Sequence, residues 1–151
     1  MTQARKNLKI YSIVILIMAG LSLLNTVFEL FFGELDAAFK SVPLPEGVTE
    51  SIVLIAQIVI LVIAVLVLLP QLYIGIKGLK MAKKPDSSKG HIVWGIILLV
   101  ITAIGLIAPL RALIQGDGRA FANVSEFLSI AVDVMILFEY VRLARAVRKG
   151  K

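Results

Sequence analysis

Four long apolar runs alternate with short charged stretches along the chain. The clearest, residues 51–76 (SIVLIAQIVILVIAVLVLLPQLYIGI), holds 26 residues without a charge. An α-helix rises about 1.5 Å per residue, so this run exceeds the roughly 30 Å of hydrocarbon in a bilayer. Its valines and isoleucines would favour a strand in water, but an open strand cannot satisfy its backbone groups in lipid. The run predicts a membrane-spanning helix. Pro70 inside it predicts a kink or a local change of hydrogen bonding.

The other runs are read against it. Residues 10–32 follow a short basic start (Arg5, Lys6, Lys9) and predict a first span. A cleavable signal peptide has a similar outline, but its apolar region is only about 7–15 residues long and ends in a small-residue site that is missing here. Residues 92–110 are just long enough to cross, with Trp94 as an interfacial anchor and Tyr11 and Tyr73 at a similar depth. Residues 120–141 predict the fourth and least apolar span, since Glu126, Asp133 and Glu139 lie in it. Between the first two spans, GELDAAFKSV has the spacing of a short amphipathic surface helix, which Pro43 and Pro45 would end. Pro85-Asp86-Ser87-Ser88 and Gly116-Asp117-Gly118 predict turns. The fold class is therefore all-α, a four-helix bundle of transmembrane helices arranged as two hairpins. A faint repeat supports the hairpins: Tyr11 aligns with Trp94, Gly33 with Gly116, and Lys77, Lys80 and Lys83 with Arg142, Arg145 and Arg148.

Composition agrees with this layout. The chain is 59% hydrophobic and 17% charged, with mean hydropathy +0.95, far from a soluble domain of about half apolar and a quarter charged residues. With 151 residues it has no room for a separate soluble domain. The net charge of +6 does not indicate nucleic acid, because the basic residues flank the apolar runs. Thirteen of the 16 lysines and arginines fall on one side of the predicted membrane, against Lys40, Arg111 and Arg119 on the other. With loops this short, the positive-inside rule places both termini and the middle loop in the cytoplasm.

The polar residues inside the spans are the candidate chemistry. Asp133 lies near the middle of the fourth span, where a charged side chain costs roughly 2.5–3.5 kcal/mol on insertion scales. Ser125, Ser129 and Asp133 recur at helical spacing and give one polar stripe, with Glu126 on its flank. On the first span, Ser22, Asn25 and Glu29 form another, and Gln57 is the lone amide of the second. Two readings follow. Asp133, with Glu29 and Gln57 along a path, suits a proton or cation site. Alternatively the same groups are interhelical hydrogen bonds, Asp133 taking Asn25, Gln57 or Thr102 as partner. Gly95, Thr102, Gly105, Pro109 and Ala112 predict a small-residue groove for close helix packing. Lys77, Lys80, Lys83, Lys84, Arg142, Arg145 and Arg148 carry two helices out of the membrane and are candidate contacts for anionic lipid, beside their topogenic role. His91, the only histidine, reads as an interfacial residue, and Glu139 with Arg142 as a surface pair.

No cysteine occurs, which removes disulfides, thiolate metal sites and thiol redox chemistry, and no hydrolase, metalloprotease or nucleotide-binding motif is present. Neither a metal nor a cofactor is implied. In GIKGLK, KPDSSKGHIVWGIILL and the four-span layout, the chain resembles uncharacterised small four-helix integral membrane proteins of Gram-positive bacteria. The resemblance implies a bacterial plasma membrane and carries no activity. The function expected is non-enzymatic: action by association, as a homo-oligomer, scaffold or accessory subunit, with membrane lipids and another membrane protein as partners. A small ion channel or proton-coupled transporter using Asp133 is the alternative.

Overall fold

The computed structural model describes residues 2–33, 50–85, 88–115 and 120–150, and the side chains of residues 50 and 120–123 are not among those described. All of the amphipathic segment GELDAAFKSV but Gly33, together with Pro43 and Pro45, Asp86 and Ser87 of the first turn, and the Gly116-Asp117-Gly118 turn, lies outside the described residues. The rest is all-α. The helices are α1 (Gln3–Phe31), α2 (Glu50–Lys83), α3 (Gly90–Gly105), α4 (Ile107–Gln115) and α5 (Ala120–Arg148).

Among the described residues three stretches are long and apolar enough to cross a bilayer: Gln3–Phe31, Ser51–Lys83 and Gly90–Gln115. Helix α5 is as long as α1 and carries Glu126, Asp133 and Glu139. Among the described residues, length and composition support three of the four expected spans. Helix α2 runs unbroken through Pro70. Pro109 acts differently, since the third span is two helices joined at Leu106. A proline in a helix cannot donate to the carbonyl four residues back and its ring crowds that group. For Pro109 that carbonyl belongs to Gly105, the last residue of α3. The Leu106 N–H instead donates to Ala103 O at 3.2 Å, and α4 restarts with Leu110 N–H on Leu106 O at 3.1 Å.

The chain divides into two compact units: Met1–Leu16 with Pro70–Lys151, and Ile17–Leu69. In the first, the buried cluster includes Leu8 and Ile15 of α1, Ile74, Met81 and Ala82 of α2, Ile92 and Leu98 of α3, and Leu137, Tyr140, Ala144 and Val147 of α5. These residues lie toward the helix ends that carry the lysines and arginines. In the second unit the chief polar contact is the Gln57 side-chain amide, 5% exposed, which donates to Leu30 O at 2.7 Å. Around it Leu54, Ile55, Ile58, Val62, Ile63 and Leu66 are exposed. A helix apolar on every side is at home in hydrocarbon rather than in water.

Candidate functional site

The polar stripe of α5 is the first candidate. Ser125, Glu126 and Ser129 are exposed, and Asp133 is half-exposed. One carboxyl oxygen of Asp133, Oδ1, is buried and accepts no hydrogen bond. Two of the partners expected for it are engaged elsewhere. Thr102 Oγ1 donates to Leu98 O of its own helix at 2.8 Å, the local back-bonding open to any helical threonine. The Gln57 amide is spent on Leu30 O. Gln57, Asn25 and Glu29 belong to one unit, whereas Asp133, Ser129 and Ser125 belong to the other. Asn25 is exposed, and the half-buried Glu29 folds back over Gly33, its Oε2 being 2.5 Å from where a Cβ on that glycine would sit.

A second constellation was not singled out in the sequence. Tyr140 of α5 is fully buried in a slot between two glycines. A Cβ on Gly78 of α2 would stand 2.6 Å from Tyr140 Cε2, and one on Gly95 of α3 would stand 3.4 Å from Cε1. The phenol donates to Ile74 O at 2.7 Å, so the polar tip of a buried ring is satisfied by a backbone carbonyl. His91, expected at an interface, is only 1% exposed and meets the Tyr140 ring edge-on with centroids 6.4 Å apart. From α1, the buried Ser12 donates to Leu8 O at 2.7 Å and sets its Oγ over Gly78. Four helices thus converge on Tyr140. Nothing there is a nucleophile beside a base, and the arrangement reads as a structural clamp. At the α2–α3 junction the phenolic hydroxyl of Tyr73 lies close over Gly90, 2.9 Å from where a side chain there would begin.

The basic residues fall into two groups. Lys77, Lys80, Lys83 and Lys84 line one open cavity of about 570 Å³ with Ser88 and His91. Arg142 and Arg145 border a separate hollow of about 480 Å³ with Lys149, Ile96 and Phe138. Arg142 is already paired, donating to Glu139 Oε2 from Nε at 3.0 Å and from Nη2 at 2.6 Å. Arg148 borders neither cavity. Arg5, at the start of α1, reaches the end of α2: its Nε donates to Ala82 O at 3.0 Å, and its Nη2 donates to Lys83 O. These carbonyls belong to the last turn, which lacks helical partners.

Among the described residues no group of three or more histidine, cysteine, aspartate or glutamate side chains is placed to hold a metal ion. Neither a protein-family model, nor a curated protein, nor a solved structure matches this chain.

Proposed function

We propose that the chain is a multi-pass protein of the bacterial plasma membrane that acts by association rather than catalysis, with α5 as its fourth span and as its contact face. Both termini and the α2–α3 turn lie on the cytoplasmic side in this reading, as the thirteen-to-three division of basic residues implies. The observation that carries it is the polar stripe on α5. Ser125, Ser129 and Asp133 lie on one face and are exposed or half-exposed, in a helix whose other exposed residues include Leu128, Val132 and Met135. Facing lipid, the aspartate alone would cost roughly 2.5–3.5 kcal/mol if charged. A second helix removes that cost. A second copy of this chain suits the stripe, because serine hydroxyls donate and a carboxyl accepts, so the pattern complements itself. Each such contact is worth about 0.6–2 kcal/mol between membrane helices.

The chain has no cysteine, so one introduced thiol reports contacts without background. Oxidation of native membranes carrying Ser129→Cys will give a band of twice the monomer mass. Ile101→Cys, on an exposed face of α3, will not. Adding Asp133→Leu will lower the affinity of the dimer by about three- to thirty-fold, the equivalent of losing one such contact. Equal cross-linking at both positions, or none at either, defeats the proposal.

The unsatisfied Asp133 Oδ1 favours one other reading, a small channel or proton-coupled transporter. Its test is flux of protons and monovalent cations through proteoliposomes. Transport requires a flux that Asp133→Asn abolishes, since asparagine keeps the size but cannot ionise. Association alone requires no flux from either protein.

A further inference from the structure

The hollow of about 480 Å³ lies in the groove between α3 and α5, and its lining changes character from one end to the other. The register of the two helices shows how. A Cβ on Gly95 would stand 3.0 Å from Val141 Cγ2, and one on Gly105 would stand 4.0 Å from Ile130 Cγ2. The helices therefore run antiparallel, with Gly95 level with Val141. Depth is set by α3, part of the stretch Gly90–Gln115 that is apolar enough to cross a bilayer. Trp94, exposed near its start, suits the interface.

From the level of Val141, Phe138 lies three residues inward along α5, beside the interior of α3. Arg145 and Lys149 lie four and eight residues the other way. At about 1.5 Å per residue, Phe138 is about 4–5 Å deeper than the Trp94 level and the two cations about 6 and 12 Å shallower. Ile96 and Leu99 of α3 complete the apolar end of the lining. Phe138, Arg142, Arg145 and Lys149 recur at helical spacing and are all exposed, so one face of α5 presents the ring and then the cations. Arg142 gives its Nε and Nη2 to Glu139 Oε2, so the groups that meet an anion here are Arg145 and Lys149. A guanidinium offers phosphate a planar fork of donors, and an ammonium one turn further adds a mobile point charge.

We infer that this groove is a binding site for one anionic phospholipid, its phosphate on Arg145 and Lys149 and one acyl chain along Ile96, Leu99 and Phe138. The lining matches both halves of such a molecule at the depths where a bilayer holds them. A soluble anion gains only the charged half. A zwitterionic lipid brings a cation of its own toward the same two residues. The sequence grouped Arg148 with Arg142 and Arg145; in the groove the third cation is Lys149 instead. Arg142 is nine residues beyond Asp133, two and a half helical turns, so the groove and the Ser125–Asp133 stripe lie on opposite sides of α5. The site therefore goes beyond self-association and does not depend on it.

The test is native mass spectrometry of the full-length detergent-solubilised protein, offered phosphatidylglycerol and phosphatidylcholine of matched chains at equal mole fraction. Two double variants accompany the native protein, Arg145→Gln with Lys149→Gln in the groove and Lys80→Gln with Lys84→Gln on α2. All four side chains are exposed and outside the buried cluster, so both variants keep the fold, as circular dichroism will show. Phosphatidylglycerol will be retained over phosphatidylcholine, and the groove variant will lose about tenfold or more of that retention, as two basic residues near the membrane surface imply. The α2 variant will keep it. Inorganic phosphate will displace the lipid no better than chloride at equal ionic strength, because it makes no use of the apolar end. Equal retention of the two lipids by the native protein overturns the inference. So does an equal loss in both variants, which would mean only nonspecific attraction to basic helix ends. Specific displacement by phosphate overturns it too, since the site would then take soluble anions.

Discussion

Gly78→Leu will lower the thermal midpoint of the solubilised protein by many degrees, while Gly20→Leu will leave it unchanged or raise it. The substitution is the same and the helical context similar, yet the surroundings differ. A Cβ on Gly20 would meet nothing within 4 Å, and replacing a helical glycine with leucine gains up to about 1 kcal/mol of helix propensity. A Cβ on Gly78 would run into Ser12 Oγ and would stand 2.6 Å from Tyr140 Cε2. Neither neighbour can easily yield. Ser12 is tied to Leu8 O and buried, and the Tyr140 ring is tied by its hydroxyl to Ile74 O. Overpacking of this kind commonly costs about 1–3 kcal/mol for added methylenes and more where the site is rigid, so it outweighs the propensity gain. Leucine adds three carbons beyond the Cβ that already collides. Circular dichroism during heating, with size-exclusion profiles before and after, checks both variants. A Gly78→Leu protein as stable as the parent would mean that α1, α2 and α5 do not meet in this way.

That contact shows where the sequence stopped being legible. The helices themselves were plain, because an apolar run of 20 or more residues has few other solutions. The basic positions on α2 were plain too, since Lys77, Lys80 and Lys84 recur at helical spacing and so share a face. Tyr140 gave no comparable signal. Its hydrogen-bond partner is a backbone carbonyl, which looks the same at every position of a chain, and an aromatic near the end of a span ordinarily marks an interface. A hint did exist in Gly75 and Gly78, two glycines one turn apart on α2 (YIGIKG), because small residues at helical spacing allow close approach. A Cβ on Gly75 would come within 2.6 Å of Leu16 Cγ, as that spacing implies. The burial of His91 was not legible for a related reason. Position along a span gives depth, but whether a side chain faces its neighbours or the solvent depends on helix rotation, which packing decides. The break at Leu106 was in principle readable from Pro109, whose ring acts on Gly105; both had been assigned to the small-residue groove. The groove is used most closely at Gly95, 3.0 Å in Cβ terms from Val141 Cγ2, and loosely at Gly105, where Ile130 is 4.0 Å away.

Tyr140 itself will be the most costly side chain to truncate. Tyr140→Phe removes only the bond to Ile74 O, whose carbonyl keeps its place in the α2 ladder, so the loss will be about 0.5–1.5 kcal/mol. Tyr140→Ala empties the slot between Gly78 and Gly95 and strips His91 of its ring contact; large aromatic truncations of this type cost about 3–5 kcal/mol. The two sites are also coupled. Half of the obstacle facing a side chain at position 78 is the Tyr140 ring, and a vacated slot gives the new atoms somewhere to go. The double variant Gly78→Leu with Tyr140→Ala will therefore be more stable than the sum of its parts, by up to about 3 kcal/mol as contacting residues allow. A control pair, Gly20→Leu with Tyr140→Ala, will be additive, because Gly20 has nothing near its Cβ. Strict additivity in the first cycle, measured by thermal or denaturant unfolding in one detergent, would show that the ring does not occupy the space above Gly78. Coupling there and none at Gly20 would place the packing centre of this unit at Tyr140. Asp133 is two helical turns away along α5, so these substitutions leave the proposed contact stripe unaltered.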